Sequence, residues 1–210
     1  MSRIIIARHG NTFEPGQQVL RVGARTDLPL ASAGLEQAKN IGRYLQEQGI
    51  ELSAVFTSTL QRTIQTATMA LEATQLNLAI TQLPIFDEID YGPDENQPED
   101  KVIARVGWEA LKAWEAEAKV PEGWNVHPLE IIKNWQVFAN RLKQDYAGKT
   151  ILVITSNGIA RFVPYLTGDF IAFATQYGIK ISTGALCVFE NNSPSEVWKC
   201  LQWNVKPAIL

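Results

Sequence analysis

Apolar residues along this chain follow two rhythms, and the rhythm switches repeatedly. Ile4-Ile5-Ile6-Ala7 is a short continuous apolar run, rich in β-branched residues, that stops abruptly at Arg8-His9-Gly10. Runs of this kind read as strands buried on both faces. Ala54 to Thr57, a stretch within Ala79 to Phe86 and, most clearly, Lys149 to Thr155 repeat it. Between them the apolar spacing becomes helical. Leu35, Ala38, Ile41 and Leu45 follow Ser32, a candidate cap, and Gly49 ends the segment. Leu60, Ile64, Ala67 and Leu71 mark a second helix. Asp100 to Lys119 and Glu130 to Tyr146 predict two more, broken by Pro121-Glu122-Gly123, and helix resumes over Ile159 to Leu166. Ala185 to Glu190 and Glu196 to Trp203 read as two strands joined by the turn Asn191-Asn192-Ser193-Pro194.

Strand–helix alternation predicts an α/β fold, a three-layer α/β/α sandwich. Its central sheet should be mostly parallel, with the last two strands forming an antiparallel edge. One domain is expected over 1–210, with a helical insertion at about 93–147 covering the C-terminal ends of the strands. Four of the six tryptophans (Trp108, Trp114, Trp124, Trp135) lie in that insertion. Core packing is the first reading for them, and the lining of a cleft is the alternative.

Composition narrows the partners. With 46% hydrophobic residues, 20% charged residues and a net charge of −3, the chain has no bulk attraction for nucleic acid or an anionic membrane. Cys187 and Cys200 fall in strand-like stretches and read as buried free thiols rather than a bridge. The first apolar run is too short for the core of a signal peptide, and no stretch reaches membrane-spanning length. A cytoplasmic protein is expected.

The strand ends carry the candidate chemistry. Asn11 to Pro29 is a long polar loop holding Arg21 and Arg25 and closed by a turn at Asp27-Leu28-Pro29-Leu30; loops of this length are usually functional. Arg8 and His9 follow the first strand, Arg62 lies in the first turn after the second, Glu88 follows the third and Asn157 the fourth. Ligands of open α/β sheets bind just beyond such ends. Two guanidiniums suit a phosphate, a neutral imidazole can be a nucleophile, and a nearby carboxylic acid can protonate a leaving oxygen. Together they spell phosphoryl transfer through a phosphohistidine, although each residue alone also has a plain reading as a surface charge or a satisfied loop side chain.

Five blocks, in order, resemble the histidine phosphatase (phosphoglycerate mutase-like) superfamily. Arg8-His9-Gly10-Asn11-Thr12 is similar to its signature. Asp27-Leu28-Pro29-Leu30 with Gly34-Leu35 and Gln37-Ala38 is similar to D-x-P-L…G-x-x-Q-A. Thr57 to Thr63 with Gln65-Thr66-Ala67 resembles S-x-L-x-R-A-x-Q-T-A. Glu88 to Gly92 resembles E-x-x-[FY]-G, and Val153 to Gly158 with Arg161 resembles V-x-S-H-G-G-x-x-R. The resemblance implies that His9 is the phosphorylated nucleophile and Glu88 the general acid, then base. Arg8 and Arg62 would bind the phosphoryl oxygens, Asn11 and Asn157 would assist them, and Arg21 or Arg25 would reach the substrate. It implies no metal and no cofactor, and a small phosphorylated metabolite as partner.

One position departs from the pattern: Asn157 stands where the family has its second histidine, so one hydrogen bond replaces a charged donor. His127, the other histidine of the chain, reads as a helix-start or surface residue rather than a replacement. Three readings follow. The first is a metal-independent phosphomonoesterase using His9 and Glu88. The second is a non-catalytic phosphate-ester-binding protein that lost turnover with Asn157. The third, ranked below both, is a phosphoglycerate mutase: Asn11-Thr12 replaces the mutases' E-S, and the insertion has no Arg-Arg pair. If the pocket is otherwise unchanged, Asn157→His should raise turnover.

Overall fold

The computed structural model describes residues 1–193 and 195–207. Six strands form one sheet: β1 (Ser2–Arg8), β2 (Leu52–Thr57), β3 (Ile80–Gln82), β4 (Thr150–Thr155), β5 (Leu186–Asn191) and β6 (Lys199–Val205). Their order is β3-β2-β4-β1-β5-β6. The pairs among β1, β2, β3 and β4 are parallel, and β5 and β6 add antiparallel to the edge beside β1. The helices are α1 (Ser32–Glu47), α2 (Gln61–Thr74), α3 (Glu99–Val106), α4 (Trp108–Glu117), α5 (Pro128–Asp145), α6 (Asn157–Ala160) and α7 (Phe170–Tyr177). This is the predicted three-layer sandwich with a parallel centre and an antiparallel edge.

The unbroken apolar runs have a direct cause. Successive strand residues face opposite sides of a sheet, and both sides here are covered. Ile4, Ile6, Ile151 and Val153 pack with Trp135, Phe138 and Leu142 of α5 on one face. Ile5, Ala7, Leu152 and Ile154 pack with Ile41 and Leu45 of α1 and with Ala67 and Leu71 of α2 on the other. So α5 belongs to the sandwich itself, and α4 is the part of the insertion that reaches the strand ends.

Several local expectations change. The helix predicted over 100–119 is broken at Gly107, whose φ of +81° lies in a region open to glycine. Ser32 does not cap α1. It is the first helical residue, and the Glu14 carboxylate accepts from both its amide (2.7 Å) and its hydroxyl (2.8 Å). Asp27 lies outside any turn, and its carboxylate accepts the Gln61 amide at the start of α2 (2.8 Å). The helix predicted over 159–166 is one α turn followed by a 3-10 turn at Val163–Thr167, where Pro164 lacks a donor. The periodicity gave no helix over 170–177, where Asp169 accepts the Ala172 amide (2.9 Å). The last strand starts at Lys199 and runs to Val205, and Pro194 of the predicted turn lies outside the described residues. Cys187 and Cys200 are free thiols. Among the described residues no helix is long and apolar enough to cross a membrane.

Candidate active site

The C-terminal ends of β1 and β4 open into a cavity of about 740 Å³. Arg8, His9, Glu88, Asn157 and Arg161 lie at its floor, Asn11, Arg21 and Val19 line it from the long loop, and Trp108, Leu111, Lys112 and Glu115 line it from α4.

His9 is held by its backbone. Its amide donates to Thr155 O at 3.0 Å, and its own carbonyl accepts from Gly184 at 3.2 Å. The imidazole Nδ1 meets Gly10 O at 2.7 Å. A carbonyl can only accept, so Nδ1 carries the proton and Nε2 keeps its lone pair. Burial, reinforced by the charges of Arg62 and Arg8, holds the His9 pKa well below its ordinary 6.5. The ring is therefore neutral at neutral pH, with its lone pair on Nε2.

Glu88 is shifted the other way. Burial raises its pKa above the ordinary 4.5, against the pull of the Ile89 and Gly158 amides and of Arg62 and Arg8. Those amides donate to it at 2.9 Å and 3.3 Å and fix the carboxyl group. A neutral base and a carboxyl inclined to keep its proton thus share one cavity, a separation of environments suited to acid–base work.

The arginines differ in how they are presented. Arg8 donates Nη1 to Ile181 O (2.8 Å). Arg62 is wholly buried, is not among the residues that line the cavity, and donates to Thr26 O (2.8 Å) and Gly23 O (3.2 Å). In both, the buried Nε–H has no acceptor among the described residues, and burial lowers both pKa values while Glu88 opposes it. Unpaired guanidinium donors suit an anion. Asn157 accepts the Ile181 amide on Oδ1 (2.9 Å). That contact fixes the side-chain amide and leaves its NH₂ as the end free to donate.

The loop residues separate. Arg21 lines the cavity, its guanidinium 5.2 Å from the Tyr91 ring centroid and 5.1 Å from that of Trp124, and it pairs with Glu99 at 2.5 Å. Arg25 points away: it binds Asp90 (3.1 Å) and Gly92 O (2.6 Å) and does not line the cavity. Asn11 lines the cavity, and its backbone amide donates to Gln37 at 2.8 Å. His127 is exposed at the start of α5, away from these residues. The motif polar residues hold the loop: Gln65 accepts the Leu30 amide (2.8 Å), and Thr66 accepts that of Gly10 (3.2 Å).

Arg161 was visible in the sequence only as the end of a motif. It is wholly buried, donates to Trp114 O at 2.6 Å and lies 3.9 Å from the Trp114 ring centroid. It ties α4 to the floor. Tyr91 belongs to the Glu88–Gly92 motif, and burial and the Glu88 charge raise the pKa of its phenol. Lys180 and Thr183 also line the cavity, and no sequence pattern marked them. Trp114, Trp124 and Trp135 are buried, whereas Trp108 is 54% exposed on the cavity wall, so both readings of the tryptophans hold, for different residues.

A parallel sheet presenting a histidine, a carboxyl group and buried arginines near its strand ends defines an α/β protein with a polar cavity at the strand ends. The sequence profile of the histidine phosphatase superfamily (branch 1) matches residues 4–206, and the chain belongs to that superfamily. It is 31% identical over 122 residues to a phosphoglycerate mutase of Candida albicans, covering 58% of this chain and 48% of that one. It is 26% identical to a 2,3-bisphosphoglycerate-dependent phosphoglycerate mutase of Thermobifida fusca, covering 91% of this chain and 88% of that one. In most of these alignments the chain spans about half the length of the curated relatives it matches. Solved structures share the fold. The alpha-ribazole phosphatase of Shigella flexneri has a TM-score of 0.74 at 20% identity, covering 99% of this chain and 98% of that one. A mycobacterial glucosyl-3-phosphoglycerate phosphatase has a TM-score of 0.78 at 17% identity, covering 97% and 99%.

Proposed function

We propose that the protein is a metal-independent phosphatase that hydrolyses a small phosphomonoester in the cytoplasm through a phosphohistidine at His9. The observation that carries this reading is the pairing of opposite shifts in one cavity: a neutral His9 with Nδ1 bound to Gly10 O, beside a Glu88 whose pKa is raised. In the first step Nε2 of His9 attacks phosphorus, the ester P–O bond breaks, and Glu88 gives its proton to the leaving oxygen. In the second, water attacks phosphorus, Glu88 takes the water proton, and the P–N bond breaks to release phosphate. Arg8, Arg62 and the Asn157 amide would hold the phosphoryl oxygens, with Asn11 close by at the loop and Arg21 at the side of the substrate.

The names of the curated relatives favour a second reading, a phosphoglycerate mutase. The Asn11-Thr12 pair and the missing Arg-Arg pair weigh against it. A third reading, binding without turnover, leaves the paired shifts of His9 and Glu88 without a purpose. Phosphate release from p-nitrophenyl phosphate, in the presence of a chelator and compared with His9→Ala, separates them. Release lost in the variant supports the phosphatase; equal rates would sink it. Bisphosphate-dependent exchange of phosphate between the positions of a phosphoglycerate would replace it with the mutase.

A further inference from the structure

The cavity is much larger than a phosphoryl group, so most of it faces the leaving group, and its charges are unevenly partnered. Apart from Arg8 and His9, each basic residue that lines the cavity is tied to a carboxylate. Arg21 pairs with Glu99 (2.5 Å), Lys112 with Glu109 (2.9 Å), Lys180 with Glu115 (3.4 Å) and Arg161 with Glu115 (3.6 Å). Arg8, at the floor, has no carboxylate within ion-pair distance among the described residues, and neither has Arg62, which is buried outside the cavity lining; buried Nε–H groups without an acceptor occur on both and also on Arg21 and Arg161, so the carboxylate partners alone make the difference. Positive charge free to receive an anion is therefore concentrated where the phosphate would sit.

The remaining mouth is apolar. Phe13, Val19 and Leu20 of the long loop and Trp108 and Leu111 of α4 line it. Val19 is 66% exposed and Trp108 54%. Trp108 is the first residue of α4, directly after the break at Gly107, and Lys112 Nζ lies 5.9 Å from its ring centroid. Exposed apolar side chains that share a concave wall release water when an apolar group covers them, and a planar ring gains further from contact with an indole.

Resting on the phosphatase reading above, we propose that the substrate carries its anionic charge at the phosphate alone, and that the leaving group is uncharged and apolar, with a planar ring packed against Trp108. Phosphorylated carboxylic acids and bisphosphates are the classes this wall disfavours, because a second anion would meet cations already neutralised by Glu99, Glu109 and Glu115.

Three phosphonates test it by calorimetry: 2-phenylethylphosphonate, n-propylphosphonate and 3-phosphonopropionate. Their C–P bond is not cleaved by this chemistry, so affinity is read whether or not the protein turns over. The phenylethyl compound should bind about tenfold tighter than the propyl one, and the carboxylate compound no tighter than the propyl one. Trp108→Ala should bring the phenylethyl and propyl affinities together, and Trp108→Phe should restore most of the difference. Tightest binding of the carboxylate compound, or an unchanged ring preference in Trp108→Ala, overturns the proposal. Equal binding of all three, with phosphate release still dependent on His9, overturns only the leaving-group assignment. Binding of none overturns the anion site and the function together.

Discussion

Gly158 donates its amide to Glu88 Oε2 at 3.3 Å, and it has no side chain because Glu88 occupies the space: a Cβ built there would lie 2.2 Å from Glu88 Oε1. The carboxyl group proposed as the acid is thus placed by backbone of the turn that opens with Asn157. Gly158→Ala should displace it and lower kcat on an alkyl phosphate about 100-fold. The loss on p-nitrophenyl phosphate should be smaller, since a good leaving group needs less protonation. Steady-state rates on the two substrates check this, and equal losses would count against Glu88 as the acid.

The opposite shifts of His9 and Glu88 should give a bell-shaped pH dependence of kcat/KM. Activity falls on the acid side as His9 gains a proton, below its ordinary 6.5, and on the alkaline side as Glu88 loses one, above its ordinary 4.5. The maximum is expected at mildly acidic pH. Glu88→Gln should remove the alkaline limb and lower kcat by about 10²–10⁴. Survival of that limb in the variant would assign it to another group.

The same shifts act on stability with opposite signs. Between its lowered folded pKa and 6.5, His9 binds protons more readily in the unfolded chain, so its contribution is lost as pH falls through that window. Glu88 binds protons more readily in the folded state above 4.5, so its contribution is lost as pH rises through its raised pKa. His9→Ala should therefore flatten the acid side of a denaturation midpoint plotted against pH, and Glu88→Gln the other side. Unchanged slopes would contradict the assignments.

Buried Glu95 positions Arg62 at one remove. Its Oε1 accepts the Arg25 amide (2.6 Å) and the Thr26 hydroxyl (2.9 Å), and the carbonyls of Thr26 and Gly23 receive the Arg62 guanidinium. Glu95→Ala should weaken inhibition by inorganic phosphate and lower kcat by about 10- to 100-fold, with Glu95→Gln recovering part of both. An Ala variant that only loses thermal stability would show a structural role alone.

Asn157→His should not raise turnover, contrary to the expectation from sequence. Ile181 donates its amide to Asn157 Oδ1 and accepts Arg8 Nη1 on its carbonyl, so the backbone of one residue holds both side chains. A histidine ring can offer that amide only a ring nitrogen, at a different reach from the Asn157 Oδ1, and displacing Ile181 disturbs Arg8. Rates for the variant on p-nitrophenyl phosphate decide; a gain would mean that Ile181 accommodates the ring.

The legible part of the site is the part that is local in sequence. Arg8-His9-Gly10, Glu88 and Asn157 each follow a strand that periodicity marks, and strands of a parallel sheet end on the same side. Arg21 and Arg25 looked equivalent in one polar loop, and the partners that divide them, Glu99 for one and Asp90 for the other, lie more than sixty residues away. Trp108 and Trp114 looked equivalent on one predicted helix, until Gly107 began a new helix and left the first on the cavity wall and the second in the core.

The sequence by itself determined the layers of the sandwich and the residues at the strand ends, because burial on both faces writes an apolar run and each run ends where its polar residues begin. Only the tertiary structure decided the state of those residues. The lowered pKa of His9 comes from burial beside Arg8 and Arg62, the raised pKa of Glu88 from burial that outweighs the Ile89 and Gly158 amides, and the orientation of Asn157 from the Ile181 amide. Dielectric, charge proximity and hydrogen-bond geometry are properties of distances in space, and the segments that set them here are separated along the chain by tens of residues.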